Sequence, residues 1–318
     1  MLIVSNYHYI RESFESKYPS IFGVTPKQFQ KQLEQLATYG EFISQEQLVS
    51  FRNKKFDKNY ILITFDDGLS EQYELAKPIL DKLGIPYVFF INTMNYTKKE
   101  ISLVHKVHLV RSQILSKEII DFISTSFGIH ITEEEKKLAQ INYNYDDESS
   151  ACLKYLLNFK LNYSEQEKVI TPIFNNLFEE KELVKKLYFT PDQLKELYKD
   201  DVLGSHSHHH VPLGLLDASK INKELLASQM FFQDQFGKEA YSVSYPYGSK
   251  EACDKVTEIE KSSGFKLGFS MERAVNSQIE KNPLMISRYD CNDLPSGKFD
   301  IFKSTDLFKE GVKSNWYQ

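Results

Sequence analysis

Two short clusters in this sequence hold the side chains best suited to hydrolytic chemistry. The first is Thr64-Phe65-Asp66-Asp67-Gly68, two adjacent carboxylates directly after an apolar run. Adjacent positions let one carboxylate hold a metal ion while the other faces a substrate. A plain Asp-Gly turn, with Asp67 capping the next helix, would use the same residues. The second cluster is His206-Ser207-His208-His209-His210, four of the chain's eight histidines. His206 and His210 are four apart, so on a helical turn they share a face and can grip one ion. A solvated histidine-rich turn is the competing reading. In the metal reading His208 and His209 point elsewhere. One carboxylate and two imidazoles together leave coordination positions open, the layout of a catalytic rather than a structural site. A metal in such a site lowers the pKa of water and polarises a carbonyl. Asp66, beside the ion but not bound to it, is then the expected general base.

The elements around these clusters read as alternating strands and helices. Leu2 to Tyr7 is a short buried strand ending near His8, and Ile61 to Phe65 is a second, cut off by Asp66. Thr25-Pro26 is a helix start, with Thr25 as N-cap and Pro26 at the first helical position. Glu71 to Leu83 is helical and is followed by a strand at Tyr87 to Ile91, which makes a βαβ unit with parallel strands. From about 98 to 186 the chain is rich in Lys, Glu, Leu and Ile and nearly free of Gly and Pro. This stretch reads as a mostly helical insertion within a single domain, with a loop at Asn142–Ser150. Further strands are expected at Asp201–Ser205, Tyr241–Tyr245, Phe265–Phe269 and Leu284–Tyr289. Helices are expected after Thr190-Pro191, after Asp217 and over Ala252–Lys261. The repeated β/α order favours an α/β barrel or a doubly wound sheet.

The 318 residues carry a net charge of −5, which gives no support to a nucleic-acid partner. Cys152, Cys253 and Cys291 are far apart, in no CxxC arrangement, which suits a reducing compartment and argues against a thiolate zinc site. The first twenty residues lack the basic start and apolar run of a secretory signal. No stretch approaches the roughly 18 apolar residues of a membrane span. A cytoplasmic enzyme is therefore the expectation.

TFDDG after a strand, then HSxxH followed by Leu213, then a strand running into Pro246-Tyr247-Gly248, resembles the polysaccharide deacetylases with NodB homology, carbohydrate esterase family 4. The opening Tyr7-His8-Tyr9 is similar to N-terminal segments of bacterial members that act in surface-polysaccharide synthesis. The resemblance implies a distorted (β/α) barrel of seven or eight strands with its site at the strand C-termini. It implies Asp66 as base and Asp67, His206 and His210 as ligands of a divalent metal, zinc being the expected ion. It also implies that Tyr247 offers its backbone N–H to the tetrahedral oxyanion. The implied substrate is an N-acetylated sugar, an oligosaccharide or a glycan precursor, with acetate as one product.

Two departures from the family pattern matter. The arginine expected two residues before the motif proline is Ser244, and Arg288, in Ile286-Ser287-Arg288-Tyr289-Asp290, is the candidate to reach the site in its place. The late Leu-x-Leu-His motif that supplies a general acid is absent, since no histidine follows His210. His8, at the end of the first strand, is the candidate acid. Competing functions are an O-acetyl esterase, a carbohydrate-binding protein without catalysis, and a non-haem iron oxygenase built on the same two histidines and carboxylate.

Overall fold

The computed structural model describes residues 1–144, 146–256, 263–303 and 305–316. It divides into two units. The first takes in Met1–Ser13, Gly23–Glu100 and Val184–Gln318, and the second Phe14–Phe22 with Ile101–Leu183.

The first unit is built on short strands: β1 (Leu2–Tyr7), β2 (Tyr9–Ile10), β3 (Gly23–Val24), β4 (Glu41–Phe42), β5 (Tyr60–Phe65), β6 (Tyr87–Ile91), β7 (Leu203–Ser205), β8 (Ser242–Ser244), β9 (Leu267–Phe269) and β10 (Tyr289–Asp290). They form one curled parallel sheet in the order β10-β1-β5-β6-β7-β8-β9, with β4 added beside β5, while β2 and β3 pair separately. The stretch leading into β10 closes the sheet. Ile286 pairs with Phe269 of β9, and Tyr289 pairs with Ser5 of β1. The result is an α/β barrel of the expected class. All six residues of β1 are buried, as parallel strands covered on both faces require. Polar Ser5 and Asn6 in that run are therefore conspicuous.

Helices α1 (Pro26–Leu36), α2 (Gln45–Val49), α3 (Lys77–Leu83) and α4 (Met94–Thr97) follow the early strands. Thr25 starts α1 with a full capping box, its hydroxyl accepting from the Gln28 amide while the Gln28 side chain accepts from the Thr25 amide. The helix expected from Glu71 is not uniform: Gln72–Ala76 is a π-helical turn that leads into α3. Pro78 has no N–H to give to the preceding turn, which loosens the ladder there.

The second unit contains α5 (Leu103–Gln113), α6 (Ser116–Phe127), α7 (Glu133–Asn142), α8 (Glu148–Tyr155) and α9 (Tyr163–Leu177), with α5 against α9 and α8 against α6 and α7. The loop expected over 142–150 is shorter, because Asp147 accepts from the Ser150 amide and starts α8 early. Then α10 (Glu180–Leu187) carries the chain back to the barrel, followed by α11 (Pro191–Lys199), α12 (Ala218–Phe236) and α13 (Lys250–Cys253). The end of the helix expected over 252–261 lies outside the described residues. No helix among the described residues is long and apolar enough to cross a membrane.

Candidate active site

Asp66 and Asp67 follow β5, His206 follows β7, Tyr247 lies just after β8, and His8 follows β1, so all come together at the C-terminal edge of the barrel sheet. That edge is where parallel α/β folds gather reactive groups from different strands. Several residues there have positive φ: Asp67 (80°), Ser207 (63°), His210 (56°) and Tyr247 (64°). Backbone held in this region by non-glycine residues costs energy and concentrates at functional sites. Gly68 shares the left-handed conformation, and a Cβ there would stand 2.7 Å from the Ile91 side chain, so the DDG turn needs glycine at its third position.

The side chains of Asp67, His206 and His210 converge, each offering one ligand atom, with all three atoms within 4.8 Å of one another. Asp67 Oδ1 is 3.4 Å from His210 Nε2 and 3.7 Å from His206 Nε2. Two donors each about 2.1 Å from a tetrahedral ion stand about 3.4 Å apart, so these spacings suit a divalent cation. The tautomer agrees. His206 Nδ1 is 2.8 Å from the Ser244 carbonyl oxygen, which can only accept, so Nδ1 is the donor and the ring presents Nε2 toward Asp67. The residues present therefore fit a metal ion.

Asp66 is held differently from Asp67. Arg288, fully buried, donates from Nη1 to Asp66 Oδ1 at 2.9 Å and from Nη2 to Oδ2 at 2.8 Å, a bidentate pair. Asn6 Nδ2 donates to the same Oδ2 at 2.9 Å, and its own Oδ1 accepts from Arg288 at 2.9 Å. Arg288 also donates to the Ser244 hydroxyl at 2.7 Å and to the Ser270 carbonyl at 3.0 Å. Burial alone would push the Asp66 carboxyl up. The charge and hydrogen bonds of Arg288, with His206 and His8 nearby, outweigh it and hold the group well below the usual carboxylate range. Arg288 reaches Asp66 from the irregular stretch just before β10, not from the full strand expected over 284–289, and Ser244 receives one of its hydrogen bonds.

The His8 side chain is 39% exposed, with Nε2 4.0 Å from Asp66 Oδ2. It lies at the mouth of the barrel. Tyr247 is 46% exposed, its ring centroid 5.3 Å from that of His210. His208 and His209 turn away from the Asp67 group. The ring of His208 meets the Thr93 hydroxyl at 2.7 Å, and burial with the neighbouring His209 pushes it down to about 4. Glu224, on α12, accepts from His209 Nδ1 at 2.6 Å and from the His209 amide at 2.8 Å, while Lys98 Nζ stands 2.9 Å from Nε2. His105 and His108 belong to the helical unit.

Sequence reasoning missed several supports of this arrangement. Gln72, fully buried in the π-helical turn, donates to the carbonyls of His8 at 2.8 Å and Asp66 at 2.7 Å, tying the ends of β1 and β5 together. Asn92 donates to the His206 carbonyl, and the His206 amide donates to the Ile91 carbonyl at 2.8 Å. Asn6 carried a readable signal, an amide inside an apolar strand. Gln72, Asn92 and Glu224 carried none, because each acts on a loop whose course only the folded chain sets.

Comparison with known proteins agrees with this geometry. The polysaccharide deacetylase family model matches residues 53–120 and 140–268, more than half of the chain. A poly-beta-1,6-N-acetyl-D-glucosamine N-deacetylase of Staphylococcus aureus (strain MRSA252) is 24% identical over 289 residues, which is 84% of this chain and 71% of the relative. The Streptococcus pyogenes deacetylase PplD, solved in complex with acetate, shares the fold with a TM-score of 0.53 at 15% identity, over 91% of each chain. IcaB from Ammonifex degensii shares it with a TM-score of 0.51 at 15% identity, over 91% of this chain and 90% of its own. The chain belongs to the polysaccharide deacetylase family and is a hydrolase that takes acetyl groups off carbohydrate.

Proposed function

We propose that this chain hydrolyses the acetamide of N-acetylglucosamine units, in a polymer or a glycan precursor, with Asp67, His206 and His210 holding a divalent metal. The observation that carries this reading is Asp66. It is a buried carboxylate kept ionised by Arg288, and its Oδ2 lies 4.0 Å from His206 Nε2 on one side and 4.0 Å from His8 Nε2 on the other. A structural metal site needs no such second carboxylate.

Asp67, His206 and His210 would hold a divalent ion such as zinc, which would supply Lewis acidity to polarise the acetyl carbonyl and make water at the site easier to deprotonate. Asp66 takes the proton from the attacking water, whose oxygen forms the new bond to the carbonyl carbon. Arg288 acts as a positioning residue, fixing both Asp66 oxygens so that the carboxylate does not turn toward the ligand group. The backbone N–H of Tyr247 donates to the developing oxyanion. His8 gives a proton to the departing nitrogen as the C–N bond breaks, leaving acetate and a free amine. The relatives' substrate supports N-acetylglucosamine as the sugar. Three buried, free cysteines support a cytoplasmic location.

The test measures metal content and acetate release with N-acetylglucosamine oligomers and nucleotide-linked N-acetylglucosamine, on wild type and Asp66→Asn. The expected result is about one metal per chain in both proteins, with acetate released by wild type alone. Chelation abolishes turnover, and a divalent ion restores it. A wild type that binds no metal, or an Asp66→Asn enzyme with full turnover, refutes the reading.

A further inference from the structure

The helical unit holds a cavity of about 370 Å³ that is separate from the chemistry described so far. Arg111, Ser116, Lys117, Asp147, Ser149 and Ser150 make its polar wall, and Tyr18 with Ile114 contributes to an apolar one. Arg111 is the unusual member. Its Nε is buried with no hydrogen-bond partner, and among the described residues it makes no ion pair. The side chain as a whole is only part-buried, but this one donor is sealed from solvent without an acceptor, which is costly unless a ligand supplies one. Burial disfavours its charge, and Asp146 and Asp147 oppose that only in part. Each acid has one oxygen engaged elsewhere. Asp146 Oδ2 pairs with Lys154 at 2.6 Å, and Asp147 Oδ1 accepts from the Ser150 amide at 3.0 Å.

The other donors at this cavity point to the same chemistry. Ser116 and Lys117 are the first two residues of the 12-residue α6, whose N-cap is Leu115, a residue with no side-chain acceptor for their amides. The Ser116 and Ser150 hydroxyls stand 3.2 Å apart, and each can turn its proton toward a shared acceptor. Arg111 and Lys117 outweigh Asp147 in charge, so the polar wall favours an anion. The volume is at the lower end of small-molecule pockets, and the Tyr18 ring offers a flat apolar surface beside the donors.

We propose that this cavity is an oxyanion subsite, taking the phosphate or carboxylate of an anionic sugar with Arg111 as its principal contact. A guanidinium fork matches either group in bidentate fashion. The oxyanion rests on the donors of this cavity alone, whereas the sugar that carries it rests on the deacetylase reading.

The test is isothermal titration calorimetry on the full chain stripped of metal, with inorganic phosphate, N-acetylglucosamine 1-phosphate and glucuronate as probes. Wild type binds at least one sugar probe more tightly than inorganic phosphate, and Arg111→Gln weakens that binding by roughly tenfold or more. Arg111→Lys recovers part of the loss, and Lys117→Gln gives a smaller one. His210→Ala leaves the affinity unchanged, which separates this cavity from the Asp67 group. Preference for the sugar phosphate or for glucuronate assigns the oxyanion. Acetate release by Arg111→Gln stays at the wild-type rate on an uncharged oligomer, and its unfolding midpoint shows that the variant folds. Equal affinities in wild type and Arg111→Gln, or no binding of any probe at millimolar concentration, overturn the proposal.

Discussion

Replacing Arg288 with methionine keeps much of the buried aliphatic length and removes the guanidinium, so the effect reports on charge more than on volume. Asp66 is 2% exposed and accepts three hydrogen bonds, two from Arg288 and one from Asn6. Arg288→Met leaves it with the Asn6 bond alone. An uncompensated buried charge of this kind costs about 3–5 kcal/mol. Asp66→Asn alone strands the guanidinium and is destabilising for the same reason. The double variant has no buried charge left at this point, so its loss falls short of the sum of the single losses by about 2–3 kcal/mol. The single tryptophan, Trp316, lies in the barrel unit, where its amide donates to Glu272 at 3.1 Å, so its fluorescence can follow urea unfolding of that unit. The pH dependence has a definite sign. Because the folded Asp66 carboxyl lies below its unfolded value, the stabilisation is fully present above about pH 4 and is lost as pH falls through the folded value. Asp66→Asn removes that part of the acid slope. Single losses that add to within about 0.5 kcal/mol in the double variant would show that Arg288 stabilises by packing, and the ion-pair reasoning would fall.

Three further changes probe the supports around the site. His8→Gln should lower kcat by about 100-fold or more while metal content stays at the wild-type level, and unchanged kcat would remove His8 from proton transfer. Glu224→Ala takes away the acceptor for both the His209 amide and its ring, one residue from His210. Metal affinity by competition with a chromophoric chelator should fall about tenfold, and an unaltered value would mean that the histidine loop is fixed by its bonds to β6 instead. Gln72→Ala leaves the His8 and Asp66 carbonyls without their side-chain donor. Unfolding in urea should show a loss of about 2 kcal/mol, and a loss near zero would mean water replaces the amide.

The parts of this molecule legible in the sequence were those with local signals. Apolar runs fixed β1, β5 and β6, and the Thr25-Pro26 and Thr190-Pro191 pairs marked helix starts that the structure places at Pro26 and Pro191. The Asp67, His206 and His210 side chains, read from two motifs, do converge. Arg288 was found by an indirect route, from the serine at 244 where an arginine was expected. What escaped notice depended on contacts across the barrel. The stretch expected as a strand at Leu284–Tyr289 serves two partners in turn, Phe269 of β9 and then Ser5 of β1, which no one-dimensional pattern reveals. The π-helical turn over Gln72–Ala76 was hidden for a similar reason, since helical periodicity does not register one widened turn.

The relation between Ser244 and Arg288 explains how a serine can stand where the resemblance implies an arginine while Asp66 still has its guanidinium partner. At the C-terminal mouth of a closed parallel barrel, side chains from several strand ends reach the same point. The chemistry then constrains where a positive charge stands relative to Asp66, and constrains only weakly which strand delivers it. Arg288 comes from the segment between β9 and β10, passes the Ser270 carbonyl, and ends between Asp66 and the Ser244 hydroxyl. That end point is fully buried. A second guanidinium at 244 would face Arg288 across one carboxylate, with no water to screen the repulsion. A short hydroxyl at 244 instead leaves room and accepts a hydrogen bond at 2.7 Å. The serine and the arginine are therefore a single feature, and either one without the other would leave the Asp66 carboxylate crowded by charge or deprived of it.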